Sequence, residues 1–241
     1  MEYLYGKDGN FEDFSSGRVF YGGKGVPNFP VRLLNEIFGR AKAYGNKTKD
    51  LVLYDPCCGG GYLLSVLGFF HNDVIKKIYG SDADENMVEM AKKNTSLLTG
   101  RGLDNRKKEL ENLYEEFRKA SHQGAMESCD RLRDILKNEI GAEIFQADCT
   151  ENLPRILPDI IIVDIPYGSL TEWNEPMAWN LEKMMDRLWE ISQEETVLAI
   201  CMDKRQKCHS AKWVRLEKNN IGKRRFEIYK KPNIAKQDDQ S

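Results

Sequence analysis

Short apolar runs alternate with helix-spaced apolar residues along most of this chain. Each run is long enough for a strand and too short for a buried helix, whereas the residues between the runs recur every three to four positions, as on one face of a helix. Strands that alternate with helices form parallel sheets covered on both faces. The sequence therefore predicts an α/β fold with a mostly parallel sheet. The predicted parallel strands lie at residues 51–54, 78–82, 143–147, 159–164 and 196–201.

Three segments depart from this alternation. Residues 1–28 are rich in glycine and aromatic residues without a sustained period, which predicts an irregular N-terminal arm. Residues from about 99 to 141 carry two amphipathic stripes, which predict a helical-hairpin insertion. Two alternating apolar-polar segments, 213–218 and 224–229, flank an Asn/Gly turn and predict a terminal antiparallel hairpin. We therefore expect a seven-stranded sheet in a single domain over residues 29–241.

The composition is ordinary for a soluble folded protein. The 241 residues are 41% hydrophobic and 31% charged, with a formal net charge of −2, which argues against a disordered chain and indicates no partner by overall charge. No stretch reaches the roughly 18 apolar residues of a membrane span, and no signal segment opens the chain, so we expect a cytoplasmic protein without membrane contact. The sequence leaves the oligomeric state open, and we favour a monomer. The six cysteines lack a repeated CxxC spacing, and we expect reduced thiols and no metal site.

A glycine-rich turn, YDPCCGGGY at residues 54–62, follows the first predicted strand. Glycines between a strand and a helix let the backbone approach a ligand and direct free N–H groups at it. A dinucleotide fingerprint would need glycine where Leu64 stands, so the turn favours another nucleoside cofactor over NAD. The candidate cofactor-binding residues of the turn are Asp55, Cys57, Gly59, Gly61 and Tyr62.

Asp82 is the candidate ribose ligand. It ends the second predicted strand about twenty positions after the glycines, where a carboxylate can accept hydrogen bonds from both ribose hydroxyls. Its alternative role is to cap the next helix, for which Asp84 is better placed.

A second candidate ligand segment, DIPYG at residues 164–168, ends the fourth predicted strand. Open α/β sheets bind ligands at the carboxyl ends of their strands. A carboxylate and backbone carbonyls there can accept the hydrogens of an amino or imino group, and Tyr167 offers a face for a planar ring. Considered by itself, the segment is explained equally well as a plain Pro-Tyr-Gly turn. Its coincidence with the glycine turn and Asp82 at one sheet edge favours a binding site.

These motifs resemble those of class I S-adenosylmethionine-dependent methyltransferases, in particular those that methylate planar nitrogens. Residues 55–61 match the first motif and Asp82 the acidic second motif. Asp148 matches the third motif, and residues 164–167 match a fourth motif of the D/N/S-P-P-Y/F type.

The resemblance implies a Rossmann-like class I methyltransferase fold. It also implies S-adenosylmethionine as the cofactor, S-adenosylhomocysteine as the product, and Asp148 and Asp164 as further cofactor-binding residues. The sequence departs from the commonest pattern where Cys57 replaces the first glycine of the first motif and Ile165 the first proline of the fourth. Both departures bear on the substrate atom more than on the cofactor.

A closer resemblance is to the avilamycin-resistance ribosomal RNA methyltransferases of the AviRa type. It covers most of the chain in order, from about Phe20 to Tyr229, and includes NFPVRL at residues 28–33. It implies methylation of a guanine of large-subunit 23S ribosomal RNA, at N1 or N2, with ribosomal RNA or a ribosomal subunit as partner, and antibiotic resistance. The alternatives are an N-methyltransferase of DNA or of a protein glutamine, and an inactive nucleic-acid-binding protein of the same fold.

The candidate catalytic residues are Asp164, Ile165, Pro166 and Tyr167. With N1 as acceptor, Asp164 would take the departing proton. With N2 as acceptor, Asp164 and the carbonyl of Ile165 would hold its hydrogens while Tyr167 stacks on the base.

Basic residues outside the motifs are the expected phosphate contacts. Each of them serves equally well on a solvated charged face, which is the alternative role. The candidates are Arg32 before the core, Arg106, Lys107 and Lys108 in the insertion, and Arg215, Arg224 and Arg225 in the hairpin.

Overall fold

Seven strands and six α-helices lie within residues 1–22, 29–165 and 177–232, which the computed structural model describes. The strands are β1 Leu51–Asp55, β2 Ile75–Asp82, β3 Gly141–Gln146, β4 Ile160–Asp164, β5 Val197–Asp203, β6 Val214–Ile221 and β7 Arg224–Lys230. The helices are α1 Val31–Tyr44, α2 Tyr62–Phe70, α3 Glu85–Ser96, α4 Gly100–Phe117, α5 Ala120–Ile135 and α6 Met177–Ile191. None of these helices is long and apolar enough to cross a membrane.

All seven strands form one sheet in the order β3-β2-β1-β4-β5-β7-β6. Strands β1 to β5 are parallel, and β7 is antiparallel to both β5 and β6. This confirms the predicted fold class, a mostly parallel seven-stranded sheet with a terminal antiparallel hairpin. The chain extends from β1 through β2 to β3 and then returns to β4 on the other side of β1. Open α/β sheets bind ligands at such a reversal, outside the carboxyl ends of the strands.

Alternate residues of the parallel strands belong to two separate cores. In β4, Ile160 and Ile162 lie in the core covered by α1 to α5, whereas Ile161 and Val163 lie in the core covered by α6. Successive side chains of a strand point to opposite faces. A wholly apolar strand is therefore what a sheet covered on both faces requires.

The helical insertion consists of α4 and α5, which pack against each other. The chain reverses at Arg118, whose φ of +50° ends α4 in the left-handed region. The insertion was predicted to extend to about residue 141, but α5 ends at Ile135, and Ile140 is a buried residue directly before β3. The buried stripes include Leu103, Leu110, Cys129 and Leu132.

The described part of the N-terminal arm packs onto the domain. It contains one short 3-10 helix, Glu12–Phe14. Phe14 and Phe20 lie in the core covered by α1 to α5, and both rings meet Phe69 of α2 edge-on. The domain boundary at residue 28 stays a prediction.

Glu36 of α1 fixes the beginning of the arm. Its buried carboxylate accepts hydrogen bonds from the N–H groups of Leu4, Tyr5 and Gly6, at 2.9, 2.6 and 2.7 Å. Burial opposes the charged form, but these donors and the Arg40 guanidinium together lower the pKa of Glu36. A charged carboxylate thus stabilises backbone that has no sheet partner of its own.

The terminal hairpin turns later than the sequence predicted. Asn219 and Asn220, expected in the turn, belong to β6, and Gly222 with a φ of +58° begins the turn to β7. Glycine is favoured at this φ, and two-residue turns are the commonest hairpin connection. Because Arg224 lies opposite Asp203, the turn is at the carboxyl end of β5.

Candidate active site

The glycine turn between β1 and α2 is held by the end of β2. The N–H of Cys58 donates to the carbonyl of Ser81 at 2.8 Å, and the N–H of Gly59 donates to Oδ2 of Asp82 at 2.8 Å. Gly59 and Gly61 have φ values of +50° and +74°, in the region where a side chain causes strain. Glycine and the neighbouring strand end therefore fix the shape of the turn together.

The two glycines serve different purposes. A Cβ on Gly61 would lie 2.8 Å from the Cα of Ala91, so this glycine permits close packing of α2 against α3. A Cβ on Gly59 would meet no atom within 4 Å, so its backbone faces open space. Gly61 is also the N-cap of α2, whose first N–H groups have no partner within the helix. The turn thus offers an accessible backbone surface to a ligand.

Asp82 lies half-buried beside this turn. Its Oδ2 accepts from Gly59, and its Oδ1 accepts from the N–H of Asp84 at 3.0 Å. Each carboxylate oxygen keeps a second lone pair, so Asp82 can still accept hydrogen bonds from hydroxyl groups. The alternative that Asp82 caps α3 is wrong, because Asp84 is the N-cap and accepts from the N–H of Asn86 at 2.8 Å.

Three carboxylates end neighbouring strands of the sheet. They belong to Asp82 on β2, Asp55 on β1 and Asp164 on β4. Burial raises the pKa of the Asp55 carboxyl well above its usual range, and the charges of Asp82 and Asp164 raise it further. The N–H of Cys57, which donates to Asp55 at 3.0 Å, opposes the shift. Such an edge favours a cationic ligand over an anionic one such as a dinucleotide pyrophosphate.

Asp164 lies where the strand order reverses. It is opposite Cys201 of β5, and the N–H of Ile165 donates to the carbonyl of Cys201 at 2.9 Å. The Ile165 side chain is buried in the core covered by α6, which leaves only its backbone for a ligand. The predicted catalytic residues Pro166 and Tyr167 lie outside the described residues.

Cys57 packs against a second thiol. Its Sγ lies 3.3 Å from the Sγ of Cys149, and both residues are free cysteines. The hydrogen bond to Cys149 and burial raise the pKa of the Cys57 thiol well above its usual range. The Cys57 thiol is therefore a neutral packing group beside the turn. In the parts of the chain that the structure describes, no group of three or more His, Cys, Asp or Glu side chains could hold a metal ion.

Asp148 lies exposed just after β3, on the same edge of the sheet. Its Oδ1 accepts from the N–H and the hydroxyl of Thr150 at 2.8 and 2.7 Å. These bonds shape the turn after β3, and the role of Asp148 in cofactor binding stays a prediction.

The side chain of Tyr62 binds the arm. Its hydroxyl donates to the carbonyl of Phe14 at 2.8 Å, and its ring meets Phe20 edge-on. Burial raises the pKa of Tyr62 to about 12, so the phenol keeps its proton. The hydroxyl of Tyr62 therefore joins the turn to the arm, and the role of Tyr62 in cofactor binding stays a prediction.

Asn94 of α3 joins the arm to the glycine turn. Its Oδ1 accepts from the N–H of Tyr21 at 2.8 Å, and its Nδ2 donates to the carbonyls of Tyr21 and Gly60 at 2.9 and 2.7 Å. The residue is only 1% exposed, so these bonds are shielded from water. Sequence reasoning missed Asn94, because a single polar residue on an amphipathic helix carries no signal of its partners.

One predicted phosphate contact, Arg106, lies inside the protein. Its Nε donates to the carbonyl of Val19 at 2.8 Å, its Nη1 pairs with Glu109 at 3.0 Å, and its guanidinium lies 4.3 Å from the centre of the Tyr21 ring. The side chain is 10% exposed. The structure therefore corrects the prediction: Arg106 binds the arm to the insertion and does not reach phosphate.

Arg225 requires the same correction. Its side chain is 8% exposed, pairs with the buried Glu227 at 2.9 Å and donates to the carbonyls of Lys204 and Gln206. Burial of a cation is tolerable only with such partners. Arg225 therefore fixes the loop after β5 and is not available to RNA.

The remaining predicted phosphate contacts lie at or near the surface. Lys108 is exposed, and Arg224 is half-buried with its guanidinium 4.7 Å from the centre of the Phe29 ring. The others already have carboxylate partners: Arg32 with Asp8, Lys107 with Asp130 and Arg215 with Glu227. The pairs of Arg32 and Lys107 have exposed carboxylates, and such surface pairs are weak and exchange readily for phosphate, whereas the Glu227 partner of Arg215 is buried.

The arrangement fits S-adenosylmethionine, the cofactor that the resemblance implies. This molecule carries a positive sulfonium and a ribose, and the carboxylates of Asp82 and Asp164 suit the charge. Asp82 keeps lone pairs for the ribose hydroxyls, and the backbone at Gly59 is open to close approach.

Comparisons with known proteins agree with this geometry. Residues 1–224 match the family described as rRNA methyltransferase AviRa. A relative from Streptomyces viridochromogenes, named 23S rRNA (guanine(2535)-N(1))-methyltransferase, is 36% identical in an alignment of 228 residues, with 88% of this chain and 88% of the relative covered. The solved rRNA methyltransferase AviRa of that species has a TM-score of 0.86 and 32% identity, with 95% of this chain and 96% of that one covered. TrmN from Thermus thermophilus shares the fold alone, with a TM-score of 0.53, 12% identity, and 84% of this chain and 49% of that one covered.

The family match extends over the glycine turn, the helical insertion and the end of β4. It confirms the resemblance that the motifs indicated, and with it the methyltransferase activity and the S-adenosylmethionine cofactor. The chain belongs to the AviRa family of rRNA methyltransferases.

Proposed function

We propose that this chain transfers a methyl group to N1 of a guanine in 23S ribosomal RNA. The observation that carries the proposal is the 36% identity, over 88% of both proteins, to a relative named for that reaction. The carboxylate of Asp164 at the strand reversal supports it, because it lies beside the turn that suits the cofactor. We further propose that the chain acts in the cytoplasm as a monomer, on ribosomal RNA or a ribosomal subunit.

The main contribution of the protein is alignment. S-adenosylmethionine, when bound, supplies a methyl group that is already electrophilic. Holding the two reacting atoms in line contributes roughly 7–11 kcal/mol in well-oriented systems. The carboxylates of Asp82 and Asp164 favour the cationic donor over its neutral thioether product, which promotes product exchange after transfer.

The acceptor nitrogen must lose a proton. S-adenosylmethionine would supply the methyl group and keep the electron pair of the broken carbon–sulfur bond, so the N1 proton has to leave the guanine. Asp164 is the candidate acceptor, directly or through one water. The target base must also leave its stack, at a cost of a few kcal/mol that contacts elsewhere on the RNA offset.

The test is methyl transfer from radiolabelled S-adenosylmethionine to four unmodified substrates in parallel. These are 23S rRNA, small-subunit rRNA, transfer RNA and duplex DNA. We expect label on 23S rRNA alone, and mass spectrometry of the digested RNA should identify 1-methylguanosine. A 2-methylguanosine product would move the acceptor to the exocyclic nitrogen. Label on DNA alone, or on no nucleic acid despite cofactor binding, would overturn the proposal and favour a DNA or protein substrate.

Asn94 provides a separate prediction about cofactor binding. Replacing Asn94 with Ala removes its three hydrogen bonds to Tyr21 and Gly60 and leaves the Gly60 carbonyl unpaired. Each lost bond should reduce the free energy of unfolding by roughly 1 kcal/mol. We expect the dissociation constant of S-adenosylmethionine to rise about 10-fold by calorimetry, since the glycine turn loses its support. The matched control is Asn86→Ala, an exposed asparagine of the same helix, which should bind the cofactor normally. Equal affinities of the two variants would show that Asn94 serves stability alone.

A further inference from the structure

The positive charge of this chain is concentrated in its last described segment. Residues 203–232 contain eleven Lys and Arg side chains and three Asp and Glu, although the whole chain has a formal net charge of −2. The helical insertion, residues 99–141, contains nine of each sign. Because RNA binding depends chiefly on neutralising phosphate charge, this distribution favours the C-terminal segment over the insertion.

The sheet places this basic segment beside the candidate active site. Strand β5 is parallel to β4, with Cys201 opposite Asp164, and it ends two residues later at Asp203. Two residues of a strand span about 7 Å. Arg224 of the antiparallel β7 lies opposite Asp203. The loop after β5 and the turn between β6 and β7 therefore leave the sheet at the same edge as Asp164.

The loop after β5 is fixed at both ends. Buried Arg225 donates to the carbonyl of Lys204 at 3.2 Å, and the N–H of Lys204 donates to the carbonyl of Lys223 in the hairpin turn at 3.0 Å. At the far end, the indole N–H of Trp213 donates to the carbonyl of Met185 on α6 at 2.9 Å. The loop and the turn thus form one framework with a defined backbone.

Three exposed lysines project from this framework. Lys204 and Lys207 lie in the loop, and Lys223 lies in the turn. Within the described ranges, no carboxylate oxygen lies within 4.0 Å of any of their ammonium groups. Lys107 of the insertion, by contrast, pairs with Asp130 at 2.6 Å. The three lysines can therefore meet phosphate without breaking an ion pair.

We propose that Lys204, Lys207 and Lys223 form a basic rim that binds rRNA phosphates flanking the target guanine. This inference rests on the proposed function. Ammonium groups bind phosphates as point charges and position a nucleic acid without reading its sequence. The rim would hold the RNA strand at the sheet edge, and the residues around Asp164 would receive the base.

The test compares two triple variants of the full chain. One replaces the three rim lysines with Ala. The matched control, Lys76→Ala/Lys119→Ala/Lys137→Ala, removes the same charge from exposed positions outside the rim. Binding of each variant to a structured 23S rRNA fragment is measured by fluorescence anisotropy over a range of salt concentrations, and calorimetry gives the affinity for S-adenosylmethionine.

We expect the rim variant to bind the RNA at least about 10-fold more weakly near physiological salt. The slope of log Kd against log salt should fall by about 2, since each lost phosphate contact removes 0.7–0.9. The control variant should keep the wild-type slope, and both variants should bind S-adenosylmethionine normally.

Equal losses of RNA affinity in the two variants would overturn the rim proposal, because the overall charge of the protein would then explain the binding. Wild-type RNA affinity and salt dependence in the rim variant would also overturn the rim proposal. The proposed function would still stand in that case if the wild-type protein transfers methyl groups to 23S rRNA. A wild type that methylates no 23S rRNA but binds RNA through the rim lysines would reject the proposed function and support the rim.

Discussion

Replacing Asp164 with Ala is expected to slow methyl transfer by roughly 10²- to 10⁴-fold at saturating cofactor and RNA, the range for loss of a positioned acid or base. The carboxylate ends β4 at the strand reversal, beside the turn held by Asp82. Affinity for S-adenosylmethionine should fall much less than the rate, because one negative charge is lost from the sheet edge while the ribose ligand and the glycine turn remain. Single-turnover rates with 23S rRNA, together with calorimetric titration of the cofactor, measure the two effects separately.

A second variant, Asp164→Asn, identifies the role of the carboxylate. An amide keeps the shape and can accept a hydrogen bond, but it cannot take up the N1 proton. Inactivity of both variants indicates proton acceptance. An active Asn variant beside an inactive Ala variant indicates that the side chain holds the acceptor by hydrogen bonding. Wild-type rates in both variants would remove Asp164 from the reaction.

The carboxylates of the site were predictable because parallel strands impose a common edge. Asp82 and Asp164 each follow an apolar run, and the carboxyl ends of parallel strands share one edge whatever their order in the sheet. The pattern of apolar residues therefore predicted that these carboxylates share one sheet edge without knowledge of the strand order. The prediction that Asp84, rather than Asp82, caps α3 was also correct, since N-cap preference is local chemistry.

The partners of long polar side chains could not be predicted. Arg106 and Arg225 are identical in type to surface arginines, and their burial depends on carbonyls that other parts of the chain bring to them, such as that of Val19. The bond from the Tyr62 hydroxyl to the arm was missed for the same reason, because Phe14 is distant in sequence. Contacts over long sequence separations carry no local signal, so reasoning from spacing fails there.

The turn of the hairpin shows a different limit. Asn219 and Asn220 are common turn formers, yet they lie in β6 because the backbone turns at Gly222, with its φ of +58°. A run that contains several turn-forming residues leaves the register open, and pairing with β5 and β7 decides it. The sequence thus predicted that a hairpin forms here, but the position of its turn depends on how β6 and β7 pair in the sheet.

Replacing Asp82 with Ala is expected to weaken S-adenosylmethionine binding about 10- to 100-fold, because hydrogen bonds to a charged group contribute roughly 1.5–3 kcal/mol. The rate at saturating cofactor should be largely kept, which is the opposite of the result expected for Asp164. Calorimetry gives the affinity, and steady-state kinetics at two cofactor concentrations separates the effect on KM from the effect on kcat.

The control for Asp82 is Asp84→Ala, because Asp82 also accepts from the N–H groups of Gly59 and Asp84 and its loss disturbs the start of α3. Removing the Asp84 cap should cost about 1 kcal/mol of stability in urea unfolding and leave cofactor affinity unchanged. Similar losses of affinity in both variants would mean that the order of α3 controls binding. A loss confined to Asp82→Ala would leave the ribose and the glycine turn as the contacts through which this carboxylate acts. The Asp82→Asn variant then distinguishes the ribose contact from the glycine-turn contact, since its amide oxygen can still accept from the N–H of Gly59 while the negative charge is gone.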